Sequence, residues 1–363
     1  MNGGSACGSD GLFSGQPGDL GRTFCRPPLS APLRELNSGD EIANHMKILF
    51  LASGAFAVPS LRTLAADKSH DILVITQPDK PAGRGRRLVP TPAADAAIRL
   101  GLPVIKVDSA NSLLGHLPMA NPDLIVVIAF GQKLSEEFVA SATLGAVNLH
   151  GSLLPKFRGA APIQWSILSG DIHAGVTVIR VAPIMDGGAM LARRSTSIEA
   201  NETAGELHDR LAELGVDALR ETIRNLEIGR AVEEPQDERQ ATRAPKLSRA
   251  MAWVDFSKPA REVSCRIRGL SPWPGCRAVL IRGRSEKSVE LQLLKVMAKS
   301  MSHSQPPGVF LDSKHVACGS DAIEILTLQP RNRGVMAMTD FINGHPIETG
   351  NRLISEAPAP NSD

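Results

Sequence analysis

The feature that most constrains this fold is a set of short apolar runs spaced for a buried parallel sheet. Residues 47–52 read KILFLA, residues 71–77 read DILVITQ and residues 124–129 read LIVVIA. They run on in apolar residues instead of alternating with polar ones, as strands covered on both faces do. Helical text lies between them: a turn and helix follow the first run, helices are expected over 92–100 and 135–141, and a short strand falls at 104–105. Strand and helix taking turns in this way predicts an α/β fold with a doubly wound, Rossmann-like parallel sheet.

The stretch 145–165, GAVNLHGSLLPKFRGAAPIQW, supplies the chemistry. As a strand it puts Asn148 and His150 on one face, with Cα atoms about 6.5–7 Å apart, and turns Leu149 to the opposite face. Gly151 ends the strand, a loop punctuated by Pro155 and Gly159 follows, and Pro162 suits a first helical turn. Open α/β sheets place their sites at the C-terminal ends of strands. An amide and an imidazole there can both donate to an oxyanion. The same two residues would also serve simply to cap a strand end.

Further along, 175–182 (GVTVIRVA) reads as a strand and is followed by PIMDGGAML. Asp186 precedes two glycines, so its carboxylate either swings toward a pocket or makes an Asx-type turn. Residues 202–226 carry apolar side chains at helical spacing, with His208 expected on the surface. Residues 227–250 are polar and aperiodic, the text of a linker. From 251 to 354 a helix over 260–268 is followed by several short strands, which suggests a small β-barrel or open sheet. Lys295, Lys299, Arg331 and Arg333 there form either a basic face or ordinary surface charge. Residues 1–45 read either as a disordered extension or as a mis-called start ahead of Met46, and 355–363 as a disordered tail.

A second loop, PDKPAGRGRRLVPTP, holds Lys80, Arg84, Arg86 and Arg87 beside Gly83 and Gly85. Such a loop is either plainly solvated or a phosphate contact, since glycines let the backbone approach closely. The net charge of +2 is too mild to argue nucleic-acid binding by itself, so any basic footprint is local. Aromatic residues make up 4 % with no Tyr, which leaves phosphate contacts and shape, not base stacking, as the means of recognition. Cys7, Cys25, Cys265, Cys276 and Cys318 are scattered and suggest neither a disulfide frame nor a zinc site, so a reducing cytosol is the default. The longest apolar run falls well short of the ~18–20 residues of a membrane span.

NLHGSLLPKFRGAAPIQ resembles the signature of the folate-dependent formyltransferases, in its long form the branch that acts on methionyl-tRNA. The resemblance covers 46–353. It implies transfer of a formyl group from 10-formyltetrahydrofolate to the α-amine of initiator methionyl-tRNA; no metal is expected, and a cytoplasmic monomer is the expectation set beside it. By the same resemblance Asn148, His150 and Asp186 are catalytic, with Asp186 beside His150 and favouring its imidazolium form. Ser152, Leu153, Leu154 and Pro155 line the folate site. Lys80, Gly83, Arg84, Arg86 and Arg87 meet the tRNA acceptor stem, Arg84 taking the place of the residue that reads its unpaired end. The catalytic domain is then 46–226, and 251–354 is an OB-like tRNA-binding domain. Gly187-Gly188-Ala189 departs from the family's usual Thr-Gly-Asp at that point. Relatives that formylate glycinamide ribonucleotide or an amino sugar, or that hydrolyse the folate, lack this domain pattern. A non-catalytic tRNA-binding module is the alternative from another class.

Overall fold

The computed structural model describes residues 45–83, 85–283 and 287–356. Arg84, nearly all of 1–45 and most of 355–363 therefore lie outside the described residues, and with them the expectations placed there.

The chain begins with β1 (Met46–Ala52), α1 (Val58–Asp67) and β2 (His70–Thr76). A small hairpin of β3 (Lys80–Ala82) and β4 (Arg87–Val89) follows, then α2 (Pro92–Arg99), β5 (Val104–Lys106), β6 (Leu124–Ile128), α3 (Glu136–Val139) and β7 (Ala146–His150). Next come β8 (Arg158–Gly159), α4 (Pro162–Leu168), β9 (His173–Arg180), β10 (Met190–Ser197) and α5 (Ala204–Glu227). One seven-stranded sheet results, in the order β10-β9-β7-β6-β1-β2-β5. Its members from β7 to β5 are parallel, and β9 and β10 continue it antiparallel. The chain winds outward from β1 and returns on the other side at β6, so the topological switch lies between those two strands. Their C-terminal ends are tied there by Gly54 N–H donating to the Ala129 carbonyl at 3.1 Å.

The pleat sorts the apolar residues. Ile48, Phe50 and Ala52 of β1, with Val147 and Leu149 of β7, face the layer that holds Leu61 of α1 and Leu207, Leu211 and Leu219 of α5. Leu49 and Leu51 face the other layer, with Phe130, Phe138 and Ala146. Two-sided burial explains why these strands have no polar alternation. α5 starts at a capping box, Thr203 with Glu206. It passes so close to β7 that a Cβ on Gly215 would lie 2.7 Å from Leu149 Cδ2. His208 is half-buried, its ring centroid 5.3 Å from that of Phe56, and not fully on the surface.

The segment read as a linker carries β11 (Arg243–Ala244), which pairs in parallel with β8. Then come α6 (Ala260–Gly269), β12 (Cys276–Arg282), β13 (Lys287–Lys299), β14 (His315–Ala317), β15 (Ala322–Pro330), β16 (Met336–Ala337), α7 (Met338–Gly344) and β17 (Arg352–Ile354). Five of these strands run in the order β14-β15-β13-β12-β17, with β16 on β15. Residues 308–310 join the two outer strands: Leu353 N–H donates to the Gly308 carbonyl at 2.8 Å, and Ala317 N–H to the Val309 carbonyl at 2.8 Å. The sheet therefore closes into a near-barrel around Leu280, Leu293, Phe310 and Ile325, which leaves little free edge. The run GVFLDS (308–313) supplies these closing bridges and is not a strand of its own.

Candidate active site

β7 ends at the C-terminal edge of the parallel sheet, and its last residues build the site. Val147 and Leu149 are held in the helix-facing layer, so the two-residue period turns Asn148 and His150 to the opposite face. His150 is buried and Asn148 is half-buried. The His150 Nε2 lies 2.9 Å from the Phe157 carbonyl oxygen. A carbonyl only accepts, so Nε2 carries a proton and Nδ1 is the nitrogen left for exchange. That Nδ1 stands 3.6 Å from Asp186 Oδ1, and the carboxylate is itself mostly enclosed. The other carboxylate oxygen, Oδ2, accepts the Gly159 N–H at 2.8 Å. The Asn148 amide makes no side-chain hydrogen bond among the described residues, so its donors stay available beside the imidazole.

Backbone geometry fixes this arrangement. Phe157 has φ +62° and Asp186 has φ +55°, both in the left-handed region, where residues other than glycine cost about 1–3 kcal/mol. At Phe157 this turn directs the carbonyl onto His150, while its N–H donates to Thr242 Oγ1 at 2.8 Å. Asp186 sits at the tip of a turn closed by Gly187 N–H on the Ile184 carbonyl at 3.0 Å and Arg180 N–H on the Ala189 carbonyl at 2.9 Å. A Cβ at position 188 would fall 1.8 Å from the Arg180 carbonyl oxygen, which explains the glycine there.

The remaining sequence-derived residues are placed less uniformly. Ser152 is fully buried and its hydroxyl donates to the Lys156 carbonyl at 2.7 Å. Leu154 is also fully buried. Leu153 borders a cleft of about 450 Å³ with Lys156, Phe157, Asp171, His173 and Arg261. Of the four, Pro155 is half-buried on the outer part of the loop. A second cleft, of about 800 Å³, is bounded by Lys133, Ser135, Glu136, Val181, Ala182 and Pro183. Asn148, His150 and Asp186 line neither cleft. The basic loop is a β-hairpin: Lys80 pairs with Val89 and Ala82 with Arg87, and Gly83 takes φ +69° at the turn. Lys80, Arg86 and Arg87 are exposed on it. On the C-terminal domain three of the four basic residues make ion pairs within the chain. Lys295 pairs with Glu206, Lys299 with Glu324 and Arg331 with Glu290.

Three contributors carried no assigned role in the sequence reading. Gln236 donates to the carbonyls of Asp186 and Gly188, and Arg158 donates to Gln236 and Glu238. Gly159 holds the carboxylate. Arg158 and Gly159 lay inside the quoted signature, but Gln236 had no signal in a polar, aperiodic segment.

This sheet, with an Asn-x-His strand end facing a turn aspartate, is that of a formyl transferase. Residues 46–223 match the family described as "Formyl transferase", and residues 246–346 match "Formyl transferase, C-terminal domain". The methionyl-tRNA formyltransferase of Caldanaerobacter subterraneus subsp. tengcongensis is 38% identical over 318 residues, spanning 85% of this chain and 100% of the relative. That of Methylococcus capsulatus is 40% identical over 316 residues, spanning 85% and 99%. The chain belongs to the methionyl-tRNA formyltransferase family. Among solved structures, a sugar 3N-formyl transferase with dTDP and 5-N-formyl-THF aligns at TM-score 0.57 and 15% identity, over 80% of this chain and 99% of that one. The Helicobacter canadensis N-formyltransferase with folinic acid and dTDP-3-aminofucose gives 0.57 at 14%, over 77% and 98%. At these identities the likeness is one of fold.

Proposed function

We infer that this chain transfers the formyl group of 10-formyltetrahydrofolate to the α-amino group of initiator methionyl-tRNA, giving formylmethionyl-tRNA for translation initiation. It does so in the cytoplasm, as a monomer. The observation that carries the reading is the meeting of His150 Nδ1 with the Asp186 carboxylate at 3.6 Å, beside an Asn148 amide with no side-chain hydrogen bond among the described residues, in a chain of this family.

The folate supplies a formyl carbonyl bonded to nitrogen. Ser152, Leu153, Leu154 and Pro155 are the residues proposed to border it; the burial of Ser152 and Leu154 makes theirs a shaping role and leaves the half-buried Leu153 and Pro155 as the more accessible members. As the amine attacks that carbonyl, a new C–N bond forms and negative charge develops on oxygen; collapse of this intermediate breaks the bond to the folate nitrogen, which takes up a proton and leaves as tetrahydrofolate, while the amine sheds one. Asn148 donates its amide N–H toward that oxygen. His150, anchored at Nε2 by the Phe157 carbonyl, presents Nδ1 as the second donor and the site of proton transfer. Asp186 faces that nitrogen, stabilises it when protonated and orders the route by which the amine proton leaves. Lys80, Gly83, Arg84, Arg86 and Arg87 are the proposed tRNA contacts; the exposure of Lys80, Arg86 and Arg87 on the hairpin supports contact with backbone phosphates.

The test is transfer of labelled formyl from 10-formyltetrahydrofolate to purified initiator and elongator methionyl-tRNA by the full-length protein. The reading expects transfer, with the initiator strongly preferred. No transfer to either tRNA, with the folate bound, would overturn it.

A further inference from the structure

We propose that Gln236 is a positioning residue for this reaction, setting the Asp186 turn from the segment that joins the two domains. Its Nε2 donates to the Asp186 carbonyl at 2.7 Å and to the Gly188 carbonyl at 2.8 Å. Its Oε1 accepts from Arg158 Nη2 at 2.7 Å and from Arg158 Nε at 3.0 Å. A primary amide has two N–H donors and an oxygen with two lone pairs, and all four are used here. The amide's orientation follows from its neighbours, since carbonyls must face the NH2 and a guanidinium must face the oxygen.

Arg158 is locked in turn. Its side chain is 11% exposed and pairs with Glu238 through Nη1 at 2.9 Å and Nη2 at 2.8 Å. The next residue, Gly159, donates its N–H to the Asp186 carboxylate. Both the backbone and the side chain of Asp186 are thus referenced to β8. Gln236 is itself fixed two residues after Glu234, which exchanges backbone hydrogen bonds with Met190 at 2.8 and 2.9 Å. The turn has little else to hold it: its apolar members Ile184 and Met185 are 63% and 72% exposed, so side-chain burial cannot fix its position. Hydrogen bonds must, and among the described residues those of Gln236 are the ones that reach the backbone carbonyl of Asp186 from outside the turn. Positioning of this kind is catalytic in effect, because a shift of about 1 Å in a reacting group can cost about 100-fold.

The proposal rests on the reading that Asp186 works with His150. Its test uses the full-length variants Gln236→Leu and Gln236→Glu in the formyl-transfer assay, beside Asp186→Ala. Leucine keeps the volume and removes all four bonds. Glutamate keeps an acceptor for Arg158 but turns an oxygen toward two carbonyls. The expectation for both is a fall in kcat of about tenfold or more. KM for each substrate should stay within about twofold. A folded Gln236→Leu enzyme with wild-type kcat, while Asp186→Ala is inactive, would overturn the clamp alone. Activity retained by Asp186→Ala would overturn the reading beneath it. A loss in both Gln236 variants that merely follows the unfolded fraction, with normal turnover per folded molecule, would assign Gln236 to stability and also overturn the proposal.

Discussion

A neutral imidazole has one N–H and one lone pair, and the surroundings of His150 decide which nitrogen is which. The Phe157 carbonyl claims Nε2, so the two-residue spacing that brings Asn148 and His150 together also presents Nδ1 to Asp186. Gly159 tolerates little change here. Its φ is +127°, its N–H is bound to the Asp186 carboxylate, and a Cβ on it would meet the Ala244 carbonyl oxygen at 2.6 Å. Gly159→Ala is expected to destabilise the protein by more than about 1 kcal/mol in urea unfolding, because alanine pays for a positive φ and must push β11 away. It should also lower kcat, since the carboxylate loses its fixed donor. A variant with unchanged midpoint and turnover would show that β8 and β11 do not hold the site.

At the scale of elements, β2 gives a pH-dependent prediction. Burial pushes the pKa of His70, at the start of this strand, below its ordinary 6.5, with Asp67 opposing the shift and His45 adding to it. The folded state therefore binds fewer protons at this group than the unfolded state in the window below 6.5. Its contribution to stability is complete above that value and is lost as pH falls toward the lower folded pKa. Glu227, whose carboxylate lies 3.7 Å from His70 Nδ1, has its pKa raised by burial and then by Asp67, so its effect runs oppositely, weakening the fold as pH rises past 4.5. His70→Gln removes only the first effect. The wild-type Tm minus that of His70→Gln should fall between about pH 7 and about pH 5, and a constant difference would contradict the assignment. The same scale shows what could be read from the chain alone. β1, β2 and β6 were legible because burial on both faces leaves continuous apolar text, and the period of two fixed the face of Asn148 and His150. β8 and β11 were not, because a two-residue strand has no period, and their partnership spans about 85 residues of sequence, as between Phe157 and Thr242. Gln236 acts through carbonyls that no side-chain pattern reports. The glycine at 188, which keeps the middle residue of the expected Thr-Gly-Asp, became intelligible only beside the Arg180 carbonyl.

For the whole molecule, the proposed sites are two: the β7 edge for formyl transfer and the cations of the β3–β4 hairpin for the tRNA. Arg86 and Arg87 stand exposed on the β3–β4 hairpin. Replacing either by alanine should weaken tRNA binding, leave folate binding intact and reduce the slope of log K against log salt by about 1. Equal loss of folate and tRNA binding would make the hairpin a structural element. The central claim is that His150 and Asp186 act as one unit in formyl transfer, with Asn148 the second donor. It is tested most directly by single-turnover transfer rates for His150→Ala, Asp186→Ala and the double variant. Each single change should cost about 100- to 1,000-fold. The double variant should be no slower than the worse single, since residues acting as a unit are not additive. A near-normal rate in either single variant, or a double loss equal to the product of the two, would contradict it.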